Sequence, residues 1–90
     1  MRPCKRRRVR GRPNSYYFKP AGIRVSELNE VVLTLDEFEA IRLIDFENVE
    51  QNEACKKMEV SQPTLSRILK SARKKISEAI VKGKALRIER

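Results

Sequence analysis

The chain has no histidine and no tryptophan, only three glycines and two cysteines, and no long apolar run. Each shortage removes a class of function. Without histidine, no side chain titrates near neutral pH for ordinary acid–base work. The scattered glycines build no phosphate-cradling loop. Cys4 and Cys55 lie far apart and cannot by themselves form a four-ligand zinc site. The most membrane-like run, Val31-Val32-Leu33-Thr34-Leu35, is far short of a span, and no signal-peptide pattern opens the chain. An enzyme, a metal module, a membrane protein and a disulfide scaffold are all disfavoured, and a cytoplasmic chain without cofactor is expected. Ninety residues, 40% of them apolar, suit one small domain with a modest core. A binder remains.

What is present in excess is positive charge. Twenty-one Lys and Arg stand against 12 Asp and Glu, for a net +9. Residues 1–24 hold nine basic side chains and no acid, residues 25–59 three basic and ten acidic, and residues 60–90 nine basic and two acidic. Such segregation lets two basic segments face one polyanion while the acidic segment faces away. Nucleic acid fits that description. An anionic membrane fits it less well, because the basic C-terminal helix lacks bulky aromatics on its apolar face, and no membrane partner is expected.

Four segments emerge along the chain. Residues 1–15 combine Pro3, Gly11 and Pro13 with six arginines and read as a flexible basic arm. Residues 16–33 form an extended lead-in, in which Tyr16-Tyr17-Phe18 packs on the core, Pro20-Ala21-Gly22 turns, and Glu30-Val31-Val32-Leu33 suits a short strand. Residues 34–82 carry the helical domain. Thr34-Leu35-Asp36-Glu37 fits a capping box, and Leu35, Phe38, Ile41, Leu43 and Ile44 follow at helical spacing to about Phe46. A short helix from about Glu50 to Lys57 leads into a turn at Glu59-Val60-Ser61. Ser61 then caps a third helix, with Pro63 tolerated in its first turn and Gly83 stopping it after Lys82. Residues 83–90 are a C-terminal tail whose Ala85-Leu86-Arg87-Ile88 alternates. The expected class is all-α, with three main helices and room for short strands near the termini.

Residues 51–70, QNEACKKMEVSQPTLSRILK, match the helix-turn-helix pattern. Cys55 supplies the small residue at the helix crossing, and Ala54, Met58, Val60, Leu65 and Ile68 hold the crossing. In this register Gln62, Pro63, Ser66 and Arg67 face base edges in the major groove. Gln62 suits adenine, Arg67 suits the O6 and N7 of guanine, and Pro63 can press on a thymine methyl. Thr64, Lys70, Arg73 and Lys74 are placed for phosphate, which adds affinity without sequence preference. One departure stands out, because Glu59 occupies the turn position normally given to glycine, and this predicts a slightly altered turn.

From Thr34 to Lys75 the chain resembles region 4 of RNA polymerase sigma factors, where a capped helix leads into a helix-turn-helix. Nearly the whole chain resembles uncharacterised protein family two-five-one, small predicted DNA-binding proteins of bacteria and archaea. That likeness rests on Arg2-Pro3, Arg7-Arg8-Val9, Phe18-Lys19-Pro20-Ala21-Gly22 and Leu35-Asp36-Glu37-Phe38-Glu39-Ala40-Ile41-Arg42-Leu43. Val60-Ser61, Arg67-Ile68-Leu69, Ala72-Arg73 and Gly83-Lys84-Ala85-Leu86-Arg87-Ile88-Glu89 complete it. The resemblance implies a transcriptional regulator and names no target.

Within the arm, Arg10-Gly11-Arg12-Pro13 has the core of an AT-hook, which enters the minor groove of A·T-rich DNA. Arg6, Arg7, Arg8, Arg10 and Arg12 equally suit general phosphate attraction. A third reading pairs Arg8-Val9-Arg10 as a strand with Leu86-Arg87-Ile88. Cys55 reads as core, whereas Cys4 sits among cations that favour its thiolate. The leading function is therefore a sequence-specific regulator on double-stranded DNA. The alternatives are an architectural or RNA-associated protein driven by its arm, and an adaptor whose acids at Glu37, Glu39, Asp45, Glu47 and Glu53 dock a basic partner. A homodimer and an RNA polymerase contact stay open.

Overall fold

Val31 and Leu33 are buried on an alternating run, the period-two mark of a strand with one face on a core. The computed structural model, which describes residues 9–90, places strand β2 at Glu30–Leu33. Its partner is β3 at Ala85–Ile88, paired in parallel with Glu30 opposite Ala85 and Leu33 opposite Ile88. A two-residue strand, β1 at Tyr17–Phe18, lies antiparallel on the other edge, with Tyr17 opposite Arg87. The order β1-β3-β2 puts the C-terminal strand at the centre of the sheet.

This sheet corrects the all-α expectation. The fold is mixed: the short strands expected at Glu30–Leu33 and Ala85–Ile88 pair with each other and with Tyr17–Phe18 into a sheet. The physical reason is the pairing itself. Parallel strands cannot be joined by a tight turn and need a long crossover, and here the crossover is the entire helical segment. No hairpin signal announces such a sheet. The proposed pairing of Arg8-Val9-Arg10 with Leu86-Arg87-Ile88 is also replaced, since Tyr17 and Phe18 hold that edge and Arg8 lies outside the described residues.

The helices follow the expected plan closely. Thr34 caps α1, Leu35–Ala40, by accepting from the Glu37 N–H at 3.3 Å, while Glu37 accepts from the Thr34 N–H at 2.9 Å. The helix runs on through a π-helical stretch, Ile41–Phe46, in which the Glu47 N–H reaches the Arg42 carbonyl at 2.9 Å. That wider turn shifts the phase of the last residues, burying Leu43 and leaving Phe46 exposed. Helix α2 is Gln51–Met58 and helix α3 is Gln62–Lys82. Ser61 caps α3, and Gly83, at φ 68°, ends it in the left-handed conformation. Among the described residues no helix is long and apolar enough to cross a membrane.

Two cores result, and α3 belongs to both. Its first half sends Leu65, Ile68 and Leu69 against Ala40, Leu43, Ala54, Cys55 and Met58. Further along, Ala72 packs with Leu33 and Ile88, and Ile76, Phe38, Tyr16 and Leu86 close over them. Ile88→Ala should therefore lower stability by about 2–4 kcal/mol, read as a shift of the denaturant midpoint. A loose tail at this position would leave the midpoint unchanged.

Candidate nucleic-acid interface

The candidate interface is built on the turn between α2 and α3. Glu59 stands at φ 59° and ψ 47°, in the left-handed region. Its N–H reaches the Lys56 carbonyl at 3.3 Å, and the Val60 N–H reaches the Cys55 carbonyl at 3.0 Å. This is the Schellman pattern, completed by Val60 packing on the first core. The turn thus keeps ordinary geometry with a glutamate in it, at a conformational cost of about 1 kcal/mol. The altered turn expected from Glu59 is not found.

Below the turn the two helices meet through small and fully buried side chains. Ala54, Met58 and Leu65 have no exposed surface, and Cys55 is buried beside them. Burial pushes the Cys55 thiol pKa upward, so the side chain serves as a small, protonated apolar group. Cys4, the other cysteine, lies outside the described residues.

At 3.6 residues per turn, the residues singled out on α3 occupy one face, opposite Leu65, Leu69, Ala72 and Ile76. Gln62, Pro63, Ser66, Arg67, Lys70, Arg73 and Lys74 are all exposed there, and Thr64 is half-buried. They differ in how far they are already engaged. The Gln62 amide donates to Asn52 of α2. The Thr64 N–H is spent on the Ser61 cap, and its hydroxyl accepts from Ser61 at 3.0 Å and from Arg67 at 3.5 Å. Arg73 is held in a two-pronged pair with Asp45, at 2.6 and 3.1 Å, and its guanidinium pKa is raised by that pairing. A phosphate contact by Arg73 would have to compete with this carboxylate. Arg67, Lys70 and Lys74 are the less encumbered cations of the face.

The arm is less free than its composition suggests. The described part begins at Val9, so Arg6, Arg7 and Arg8 lie outside it. Arg10 and Arg12 point to solvent, but the Arg10 and Gly11 N–H groups donate to Glu39 at 3.0 and 3.2 Å. Tyr16 packs on the second core, and Arg90 lies 4.2 Å above its ring centroid.

Sequence reasoning placed Glu37 and Glu39 on an exposed acidic face, and the structure corrects this. Both are buried and satisfied internally. Glu37 bonds Lys75 at 2.8 Å and the Ser71 hydroxyl, as well as its capping partner. Glu39 receives Arg42 through Nε at 2.9 Å and NH2 at 2.8 Å. Arg42 also reaches Glu47 at 2.6 Å. With Asp45 on Arg73, four of the five proposed docking acids are engaged, and Glu53 stays largely exposed, 3.9 Å from Lys56. Burial works to raise both buried pKa values. It is outweighed, for Glu37 by Lys75, Ser71 and the Thr34 backbone, and for Glu39 by Arg42 and the Arg10 and Gly11 backbone. Both carboxyls therefore sit below the ordinary carboxylate range. The available signal was three acids within one turn of a helix that must also bury an apolar face.

The geometry defines a small mixed domain in which a two-helix unit is braced by a sheet. The whole chain, residues 1–90, matches the model of a family described as "Protein of unknown function DUF134", and the chain belongs to that family. A UPF0251 protein of Caldanaerobacter subterraneus is 57% identical over 88 residues, covering 98% of this chain and 75% of that protein. One from Thermoanaerobacter pseudethanolicus is 53% identical over 88 residues, with the same coverage of 98% and 75%. A third, from Pelotomaculum thermopropionicum, is 55% identical over 87 residues, 97% of this chain and 66% of that protein. No solved structure gives a significant match.

The depressed pKa values fix the sign of the acid response. A carboxyl whose folded pKa lies below its unfolded value stabilises the fold above that unfolded value, and the contribution is lost as pH falls through the folded one. Stability should stay level from neutrality to about pH 5 and drop steeply below about pH 4. Glu39→Gln should lower stability at neutral pH and flatten the drop, as urea midpoints across the pH series would show. An acid limb unchanged by the substitution would contradict the pairing.

Proposed function

We propose that the protein is a sequence-specific, double-stranded DNA-binding regulator of transcription, in which α2 and α3 act as a helix-turn-helix. One observation carries the reading. The tight Schellman turn at Glu59 lets α3 present Gln62, Pro63, Ser66, Arg67, Lys70 and Lys74 on a single exposed face, beginning at its capped end. A recognition helix reads the major groove with such early, outward residues. Arg67 is the guanine reader, while Lys70 and Lys74 neutralise phosphates. Gln62 reads adenine by exchanging its Asn52 partner for a base edge, so its contribution is a difference between two hydrogen-bonded states. The family likeness adds nothing to this reading, since the relatives' names state no activity.

On this reading the protein works in the cytoplasm. A single recognition helix covers a half-site, which suits a second copy on the neighbouring half-site. RNA polymerase is a further proposed contact, through surfaces other than the neutralised acids.

Selection of duplexes from a random pool, followed by titration of variants, tests the proposal. Arg67→Ala should cost about 1–3 kcal/mol on the selected site and relax preference at one base position. Lys70→Ala should weaken all duplexes alike and reduce the salt slope by about one. Uniform losses for both variants, with no motif in the selected pool, would instead identify backbone-driven architectural binding.

A further inference from the structure

Glu39 is completely buried, and the way its carboxylate is filled points beyond the helix-turn-helix. Each oxygen takes one N–H from the N-terminal segment and one from Arg42. Oε1 receives Gly11 N and Arg42 Nε, and Oε2 receives Arg10 N and Arg42 NH2. Arg42 is fixed from its other side by Glu47. The segment therefore lies across the guanidinium like a strap. A Cβ on Gly11 would overlap Nε, Cδ and Cζ of Arg42. Gly11 is not among the residues at positive φ, so its lack of a side chain supplies space here and not an unusual backbone. The arginines on either side of it, Arg10 and Arg12, are exposed.

We propose that Glu39 and Arg42 form a clamp that presents Arg10 and Arg12 from a fixed backbone as phosphate-binding cations, rather than as a free minor-groove hook. The inference rests on the DNA-binding reading above. The physical case has two parts. Burying a carboxylate is costly unless it is fully paired, and a chain end that needed only to be soluble and basic would have no use for such a site. A cation held in place before binding also loses less conformational entropy on contact with phosphate than one on a free tail. The same clamp makes the AT-hook tetrapeptide unavailable as a hook, because the backbone that would enter the groove is already bonded to Glu39.

The experiment compares the full chain with Gly11→Ala, with the pair Arg10→Ala and Arg12→Ala, and with all three together. Amide hydrogen exchange at Arg10 and Gly11 reports the clamp without DNA, and titration of a mixed-sequence duplex at several salt concentrations reports its use. Slow exchange is expected in the parent and fast exchange in Gly11→Ala. That variant should bind the duplex about tenfold more weakly, with a salt slope reduced by about two. Adding Gly11→Ala to the arginine pair should then change nothing more. Glu39→Gln, which keeps the shape and drops the charge, should behave as Gly11→Ala does if the latter folds poorly. Fast exchange in the parent would overturn the clamp. An undiminished effect of Gly11→Ala without the two arginines would make the strap merely structural and overturn the positioning role. Protected amides in a parent chain that binds no duplex would show that the DNA-binding reading had failed, and the DNA role of the strap with it, while the clamp itself stood.

Discussion

Three carboxylates sit on the buried side of one six-residue helix, Asp36, Glu37 and Glu39 of α1, with exposures of 6, 6 and 0%. A carboxylate stripped of water is tolerated only where cations and N–H groups take the water's place. Satisfying these three draws the molecule together. Asp36 accepts from the Thr34 hydroxyl and the Glu37 N–H, where the helix dipole also favours an anion. Glu37 reaches across to Ser71 and Lys75 in the middle of α3. Glu39 reaches the other way, to Arg42 and the strap at Arg10-Gly11. A helix this short has no stability of its own. It persists because it is the junction between cap, long helix and N-terminal segment.

Helix α3 supplies the second organising feature. At 1.5 Å per residue its 21 residues span about 31 Å, enough to serve two cores in succession. The half that carries the exposed face leans on α2, while the other half leans on the sheet and feeds directly into β3. The orientation of the exposed face is thus set by strands at both ends of the chain. Charge is partitioned along the same line. Arg73, Lys75, Lys84 and Arg87 are spent on Asp45, Glu37, Glu78 and Glu30. The acidic middle of the chain therefore does not simply face away from the basic ends. Its Asp45, Glu37 and Glu30 pair with Arg73, Lys75 and Arg87, while Arg67, Lys70 and Lys74 lie together on one exposed face.

Legibility in the sequence followed the range of the interaction. Thr34, Ser61, Pro63 and Gly83 act within one helical turn, and each marked its helix end correctly. The turn at Glu59 was located, and its geometry was misjudged, because the Schellman bonds from Glu59 and Val60 outweigh one unfavourable residue. The buried face of α3 followed the period from Leu65 to Ile76, whereas Ile80, next in the same stripe, is exposed. The strands at Glu30–Leu33 and Ala85–Ile88 were readable too, but their parallel pairing was not, because each strand's partner lies at the far end of the chain. Nor were the buried acids legible, since Glu37 and Glu39 satisfy the propensity of an exposed helix start as well as that of a buried one. What decides between these is a cation on another element, Lys75 in one case, and backbone N–H groups 28 and 29 residues away in the other.

Arg10-Gly11-Arg12-Pro13 shows how the same four residues support different mechanisms until their contacts are known. A minor-groove hook needs its glycine so that backbone can approach base edges, and it needs that backbone unbonded beforehand. In this chain the glycine's missing Cβ is matched to the Arg42 guanidinium, and both N–H groups are committed to Glu39. Entry into a groove would leave a buried carboxylate short of two donors, a loss of the kind that costs about 1–3 kcal/mol for each unsatisfied group. Flanking arginines turned to solvent carry no such penalty, because their guanidinium groups are free to meet phosphate while the backbone stays in place. On the proposed DNA-binding reading, the arrangement thus favours contact along the outside of a duplex over insertion into it.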